Sequence, residues 1–160
     1  YFFRYLWLLM AGLMILFIIS QAIFTKRTLT YYPDFYQPLS QDIVGWYPAQ
    51  RISYDSDPSK DLIRLLAEPV YLKVYSPVDF KILEVEGEIN TNGLEASLGL
   101  RQGDGSWQFL PIAVGSFSVD FDLTNAQIKR NQLEIILSIP QMSSTSSIDL
   151  MNNWEITLKR

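Results

Sequence analysis

Hydrophobic residues follow two patterns along this chain: an unbroken run near the N-terminus and strict alternation from residue 69 onward. The run covers residues 6–24, which hold 19 residues without a charge. As a helix it would be ~28 Å long at 1.5 Å per residue, about the thickness of the hydrocarbon core of a bilayer. Arg4 precedes the run, and Lys26 and Arg27 follow it. The pattern therefore predicts one membrane-spanning helix.

Aromatic residues crowd both borders of this run, as they do at the two interfaces of a spanning helix. We predict that residues 1–27 form a single-pass membrane anchor in contact with the lipid bilayer. The anchor residues that we single out are Leu6, Trp7, Phe17 and Phe24. Two alternatives stay open: a buried core helix, and a signal peptide with a small-x-small cleavage site at residues 20–22.

The orientation of the anchor is weakly determined by its flanking charges. Lys26 and Arg27 outnumber Arg4, which slightly favours a cytoplasmic C-terminal side. The chain starts at Tyr1 rather than Met, so basic residues preceding it would change this count. A β-rich domain that follows an N-terminal anchor is most often displayed outside. We therefore expect the C-terminal domain to be extracytoplasmic.

Residues 28–68 combine four prolines with interleaved Tyr and Trp. A disordered tether would be poor in aromatic residues. We therefore predict an extended, partly ordered stalk that packs on something. Within it, Asp57 as the N-cap and Pro58 at the first helical position indicate a short helix that would run through Leu62–Leu66.

From residue 69 onward, apolar and polar residues alternate with period two, which is typical of half-buried strands. Short runs of this kind recur every 8–15 residues, and Gly, Asn-Gly or Pro signals separate them. We predict seven or eight strands in an antiparallel β-sandwich over residues 69–160. Residues 125–130 could form one helical turn in a crossover. The predicted strands are 70–75, 80–89, 96–101, 107–112, 117–123, 133–139 and 154–158.

The last three of these runs carry a resemblance. Alternating strands at Phe117–Leu123 and Leu133–Ile139, a Ser-rich loop and a terminal W-x-I-x-L at Trp154–Leu158 resemble the C-terminal half of jelly-roll sandwiches. The similar families are carbohydrate-binding modules and galactose-binding domains. The resemblance covers roughly residues 69–160 and implies a jelly-roll-like fold with a habit of binding glycans or proteins. Function does not follow from fold.

Composition excludes several classes of function. The chain has no Cys and no His, so thiolate zinc, Fe–S clusters, cysteine nucleophiles and Ser-His-Asp triads are ruled out. The formal net charge is −4, and residues 28–160 alone carry 10 basic against 17 acidic residues. A nucleic-acid partner would need a basic face. We expect no nucleic-acid partner, no cofactor and no catalytic residues.

Two acidic groups could carry chemistry. Glu84, Glu86 and Glu88 share one face of a strand and could bind a cation or act as an acid/base pair. The alternative is a solvated face whose repulsion Lys73 and Lys81 relieve. A second group could hold a structural Ca²⁺ through oxygen ligands, or could simply be the wet side of a strand. Its members are Asp120, Asp122 and Asp149.

Exposed aromatic residues are the better candidates for a binding surface. Tyr71 and Tyr75 lie on the outward parity of their strand, and Trp107 follows a Gly-rich turn. These three could stack on sugars or form an interface hot spot. Trp154 shares parity with Ile156 and is expected in the core. Polar groups that could accompany the rings are Asp120, Asp122, Asn152 and Asn153.

Two functional hypotheses follow. The first is a non-catalytic accessory or scaffold subunit of a larger membrane complex. Its helix would dock on a polytopic membrane protein, and its sandwich would make protein–protein contacts. The alternative is a membrane-tethered glycan-binding module. The identity of the partner or ligand, the orientation, the oligomeric state and a bound Ca²⁺ are not determined by the sequence.

Overall fold

A computed structural model describes residues 2–24, 28–33, 43–54, 62–77, 79–143, 148–151 and 153–160 of the chain. These residues form one long helix, a short 3₁₀ helix (Ala49–Arg51) and twelve strands. The long helix and the strands are α1 (Phe2–Phe24), β1 (Thr28–Tyr31), β2 (Ile43–Tyr47), β3 (Ile52–Tyr54), β4 (Leu62–Leu65), β5 (Val70–Tyr75), β6 (Ile82–Asn90), β7 (Ala96–Arg101), β8 (Trp107–Ile112), β9 (Gly115–Asp122), β10 (Gln132–Ser138), β11 (Ile148–Met151) and β12 (Glu155–Lys159).

Helix α1 is long and apolar enough to cross a membrane. Its window Phe3–Ser20 has no residue buried against the rest of the molecule. Leu6, Trp7 and Phe17 are exposed side chains on it, and the side chain of Phe24 lies outside the described residues. A signal sequence near an N-terminus meets the same criteria of length and composition, so anchoring itself stays a prediction.

The strands form two antiparallel sheets. The seven-stranded sheet has the order β1-β12-β6-β11-β4-β3, and β9 pairs with the free side of β6. The five-stranded sheet has the order β2-β5-β10-β7-β8. Buried side chains alternate along the strands, as in β5 and β11, so each sheet directs one face inward. The predicted mainly-β, jelly-roll-like sandwich is confirmed.

Trp154 occupies the core, as its parity predicts. Its side chain is 1% exposed, and its ring meets Trp46 and Phe117 edge-on at centroid distances of 5.1 and 4.9 Å. Gly87 on β6 provides the space, since a Cβ there would lie 2.8 Å from Trp154 Cδ1. The indole Nε1–H donates to the Glu88 carbonyl oxygen at 3.3 Å. This cluster ties β2 of one sheet to β6, β9 and β12 of the other.

The strand predictions agree with the structure to within a few residues at each end. After residue 69 the structure departs from the predictions at two places. Residues 125–130 form turns and bridges rather than a helical turn, because Gln102 pairs with Ala126 and Lys129 with Gln132. Strand β11 follows the Ser-rich loop and was not predicted, since its four residues are too few to display a period.

The segment 28–68, predicted as a stalk, contributes four strands to the sheets. β1 pairs with β12, β2 with β5, and β4 with both β3 and β11. The predicted helix is wrong at Leu62–Leu65, which form β4 with Ile63 and Leu65 both 1% exposed. The inner face of the sheet buries alternate residues there, and this outweighs the local capping signal. Its proposed cap, Asp57, lies outside the described residues.

Candidate binding face

Four rings lie side by side on the outer face of the five-stranded sheet. We call them the aromatic row: Tyr47 on β2, Tyr71 on β5, and Trp107 and Phe109 on β8. The sheet register brings them together, because Tyr47 is directly opposite Tyr71, and Trp107 and Phe109 share one parity. Successive ring centroids are 5.4, 6.1 and 6.5 Å apart, with interplanar angles of 27°, 40° and 33°.

Two residues between β5 and β8 make this row continuous. Ile136 on β10 lies directly opposite Tyr71 and is only 6% exposed, although it is on the outer face. Gly99, opposite Ile136 on β7, leaves room for its neighbours. A Cβ at Gly99 would lie 2.5 Å from Ile136 Cγ2 and 2.8 Å from Phe109 Cε1. The rings can therefore lean over two strands and meet.

Charged groups border the row on one side. Lys73 Nζ lies 5.1 Å from the Tyr47 ring centroid, and Arg101 Cζ lies 5.1 Å from the Trp107 ring centroid, both within cation–π distance. Glu134 lies opposite Lys73 on β10 and is 3.7 Å from Arg101 Nη1. A cation, a carboxylate and a second cation therefore follow one another beside the rings.

The Tyr47 hydroxyl donates a 2.5 Å hydrogen bond to Glu134 Oε1. The pKa of this phenol is raised above its ordinary value of 10.0, first by burial and then by the bonded Glu134 carboxylate. The phenol is therefore neutral and acts as a donor at physiological pH. This bond fixes the ring at one end of the aromatic row.

The structure brings two of the three predicted surface residues into the row and places the third beside it. The rings of Tyr71 and Trp107 are 6.1 Å apart. Tyr75 is half-buried beyond Lys73, opposite Gln132, and its carbonyl oxygen accepts a 2.8 Å bond from the Tyr31 hydroxyl. All three lie on the outer face of one sheet.

The polar groups predicted to accompany these rings do not converge with them. Asp120 and Asp122 lie on β9 in the seven-stranded sheet, and Asn153 donates to Glu88 at 3.4 Å on that sheet. Asn152 lies outside the described residues. Lys73, Arg101 and Glu134 take their place.

The three carboxylates considered for Ca²⁺ each have different neighbours. Asp149 pairs with Arg64 at 2.9 Å, while Asp122 accepts bonds from Thr124, which lower the pKa of its carboxyl. Asp120 faces Glu84 across the β6–β9 pair. Among the described residues, no group of three acidic side chains has an arrangement that could hold a metal ion.

The repulsion among Glu84, Glu86 and Glu88 is relieved by partners other than the predicted lysines. Glu84 forms an ion pair with Lys159, with 2.6 Å between Glu84 Oε2 and Lys159 Nζ. The hydrogen bond in this pair raises the pKa of Lys159. Glu86 accepts a 3.1 Å bond from the Ser118 hydroxyl. Lys73 lies in the other sheet, because the fold separates β5 from β6.

Sequence reasoning missed Tyr47 and Phe109. Tyr47 fell in the predicted stalk, so its pairing with β5 was not foreseen. Phe109 shares the parity of Trp107 and is 46% exposed, and that alternation could have identified it.

Comparisons with known proteins concern the fold. No protein-family model and no curated protein matches the chain. The Agl-KA catalytic domain is similar with a TM-score of 0.51 and 11% identity, over 84% of this chain and 28% of that chain. The CBM22-1 xylan-binding domain from Paenibacillus barcinonensis Xyn10C has a TM-score of 0.47 and 12% identity, over 72% of this chain and 86% of that one.

The C-terminal CBM6 of LamC, a laminarinase from Zobellia galactanivorans, is a third similar structure. Its TM-score is 0.47 with 8% identity, over 82% of this chain and 99% of that chain. Two of these three similar structures are carbohydrate-binding modules, the class that the sequence resemblance names. At these identities the similarity concerns the fold alone and assigns no site.

Proposed function

We propose that the chain is a non-catalytic glycan-binding module whose binding surface is the aromatic row. The observation that carries the proposal is the continuous series of four rings on the outer face of the five-stranded sheet. Such rings offer flat apolar surface to the C–H faces of sugar rings. One ring contact contributes only ~0.5–1.5 kcal/mol, so several rings in series are needed for useful affinity.

Polar groups beside the rings support a sugar ligand over a purely apolar one. Lys73 and Arg101 are donors, and Glu134 is an acceptor, all at the edge of the row. A binding surface with apolar rings and a few placed polar groups can orient a polyhydroxylated ligand. We prefer this proposal to the accessory-subunit hypothesis because the aromatic row offers a specific surface for a sugar ligand.

A glycan array tests the proposal. The full chain is applied in a detergent without a sugar headgroup, because alkyl glycosides would compete for the rings. We expect Trp107→Ala to weaken binding to the selected glycan by about two- to twelvefold, the equivalent of one lost ring contact. Trp107→Phe should recover part of the affinity.

Tyr32→Ala is the matched control. Tyr32 is 70% exposed and follows β1 at the edge of the other sheet. Its removal should leave glycan affinity unchanged. Equal effects of Trp107→Ala and Tyr32→Ala, or an array without binding, would contradict the proposal.

A further inference from the structure

A groove of about 420 Å³ opens beside the aromatic row at the end of the five-stranded sheet where β10 begins. Part of its lining comes from β5, β7 and β10, and part from the turn that precedes β10. The charged and amide side chains that matter here are Lys73, Arg101, Lys129, Arg130, Gln132 and Glu134.

The groove has the opposite charge to the domain around it. Residues 28–160 carry 17 acidic against 10 basic residues, whereas the groove is lined by four cations and one carboxylate. Glu134 is already engaged by the Tyr47 hydroxyl and Arg101. Among the residues that the structure describes, no carboxylate forms an ion pair with Lys73, Lys129 or Arg130. An unbalanced positive field therefore fills the groove.

A tight turn places two of these cations. Lys129 and Gln132 exchange backbone bonds of 3.0 and 3.1 Å, and Arg130 and Asn131 between them have φ of 54° and 59°. Positive φ at both central residues is the signature of a type I′ turn. The turn holds Lys129 and Arg130 at the rim of the groove, and both are exposed to solvent.

Two residues that line the groove contact rings of the aromatic row. Lys73 contacts the Tyr47 ring and Arg101 contacts the Trp107 ring, while both line the groove. A polymer lying along the rings would therefore present its substituents to the groove. Carboxylate and sulfate groups are the natural partners of such a cation set.

We propose that the glycan is anionic, a polysaccharide with uronate carboxylates or sulfate esters, and that the basic groove binds those groups. This inference rests on the proposed function and adds the class of ligand to it. Two polymer pairs distinguish the sources of the charge. Polygalacturonate is compared with methyl-esterified pectin, and dextran sulfate with dextran.

The experiment measures affinity of the full chain in the same sugar-free detergent. We expect at least one anionic polymer to bind more tightly than the uncharged polymer of its pair. This difference in affinity should disappear as added salt screens the charges of the groove. Lys129→Gln should weaken anionic binding by about two- to fivefold, as expected for one exposed charge pair. Arg130→Asn should act similarly while suiting the positive φ, since Asn tolerates it well.

Lys81→Gln is the control variant, because Lys81 is exposed next to β6 in the other sheet. Equal affinity within both polymer pairs, or equal effects of Lys129→Gln and Lys81→Gln, would overturn the inference and leave the proposed function standing. Equal binding of single-stranded DNA would overturn it too, because the groove would then respond to charge alone. Full affinity of Trp107→Ala for every polymer would contradict the proposed function itself, and this inference with it.

Discussion

Gly99 and Gly87 are the residues on which the two aromatic clusters depend. A Cβ at Gly99 would collide with Ile136 and with Phe109 of the aromatic row, and one at Gly87 would collide with the Trp154 ring in the core. The Trp154 ring occupies the space at Gly87, and Ile136 and the Phe109 ring occupy the space at Gly99. Neither glycine carries a positive φ, so space rather than backbone conformation selects it.

Tyr47 gives a pH-dependent prediction at the same scale. Its pKa is raised in the folded chain, so its contribution to stability is fully present below pH 10.0, the ordinary pKa, and is lost progressively above it. Tyr47→Phe should lower the free energy of unfolding by about 1 kcal/mol near neutral pH, through the lost bond to Glu134. The difference between wild type and variant should shrink above pH 10.0.

Urea unfolding of both proteins in detergent micelles, followed over this pH range, measures the difference. Tyr32→Phe serves as the control, since Tyr32 is largely exposed. A difference between wild type and Tyr47→Phe that is zero, or that stays constant above pH 10.0, would contradict the prediction.

At the scale of elements, the first four strands decide where the sandwich begins. β1, β2 and β4 pair with β12, β5 and β11, and β2 also carries the buried Trp46 that meets Trp154. A domain starting at residue 69, as the sequence predicts, would leave these three partner strands with exposed edges. Exposed edges are prone to pair with other chains.

A fragment of residues 69–160 should therefore fail to unfold cooperatively, whereas a fragment of residues 28–160 should do so. Losing the contact of one buried Trp alone costs about 3–5 kcal/mol, a large part of the ~5–15 kcal/mol that stabilises a typical domain. Thermal unfolding followed by near-UV circular dichroism compares the two fragments. Equal, cooperative transitions would restore the boundary at residue 69.

At the scale of the whole molecule, an exposed apolar helix precedes an acidic sandwich. Every side chain described in α1 from Phe3 to Ile19 is exposed, which in water would be an unusually large apolar surface. A bilayer would cover it. The single-pass anchor, the extracytoplasmic domain and a polytopic partner stay predictions.

Cysteine labelling tests the topology, because residues 1–160 contain no cysteine. Ser118 is exposed on β9, so Ser118→Cys provides one readable thiol. We expect an impermeant maleimide to label this variant in intact cells. Labelling only after lysis would place the domain in the cytoplasm. Recovery of the labelled protein from the medium would indicate a cleaved signal sequence.

The sequence alone determined the membrane-length helix, the strands from residue 70 onward except β11, and the burial of Trp154. These features depend on short-period alternation and on runs of one residue class, and both are visible in the order of neighbouring residues. It also placed Tyr71 and Trp107 outward, because strand parity fixes the face of each side chain.

Only the tertiary structure decided which residues meet. Tyr47 and Tyr71 are 24 positions apart and Arg101 and Glu134 are 33 apart, yet each pair is in contact because strands from distant segments are neighbours in the sheet. The order in which the strands pair within a sheet cannot be read from any short-range pattern in the sequence. For the same reason, residues 28–68, which the sequence predicts as a stalk, contribute four strands to the sheets. Four cationic side chains from separate segments also line one groove of an otherwise acidic domain.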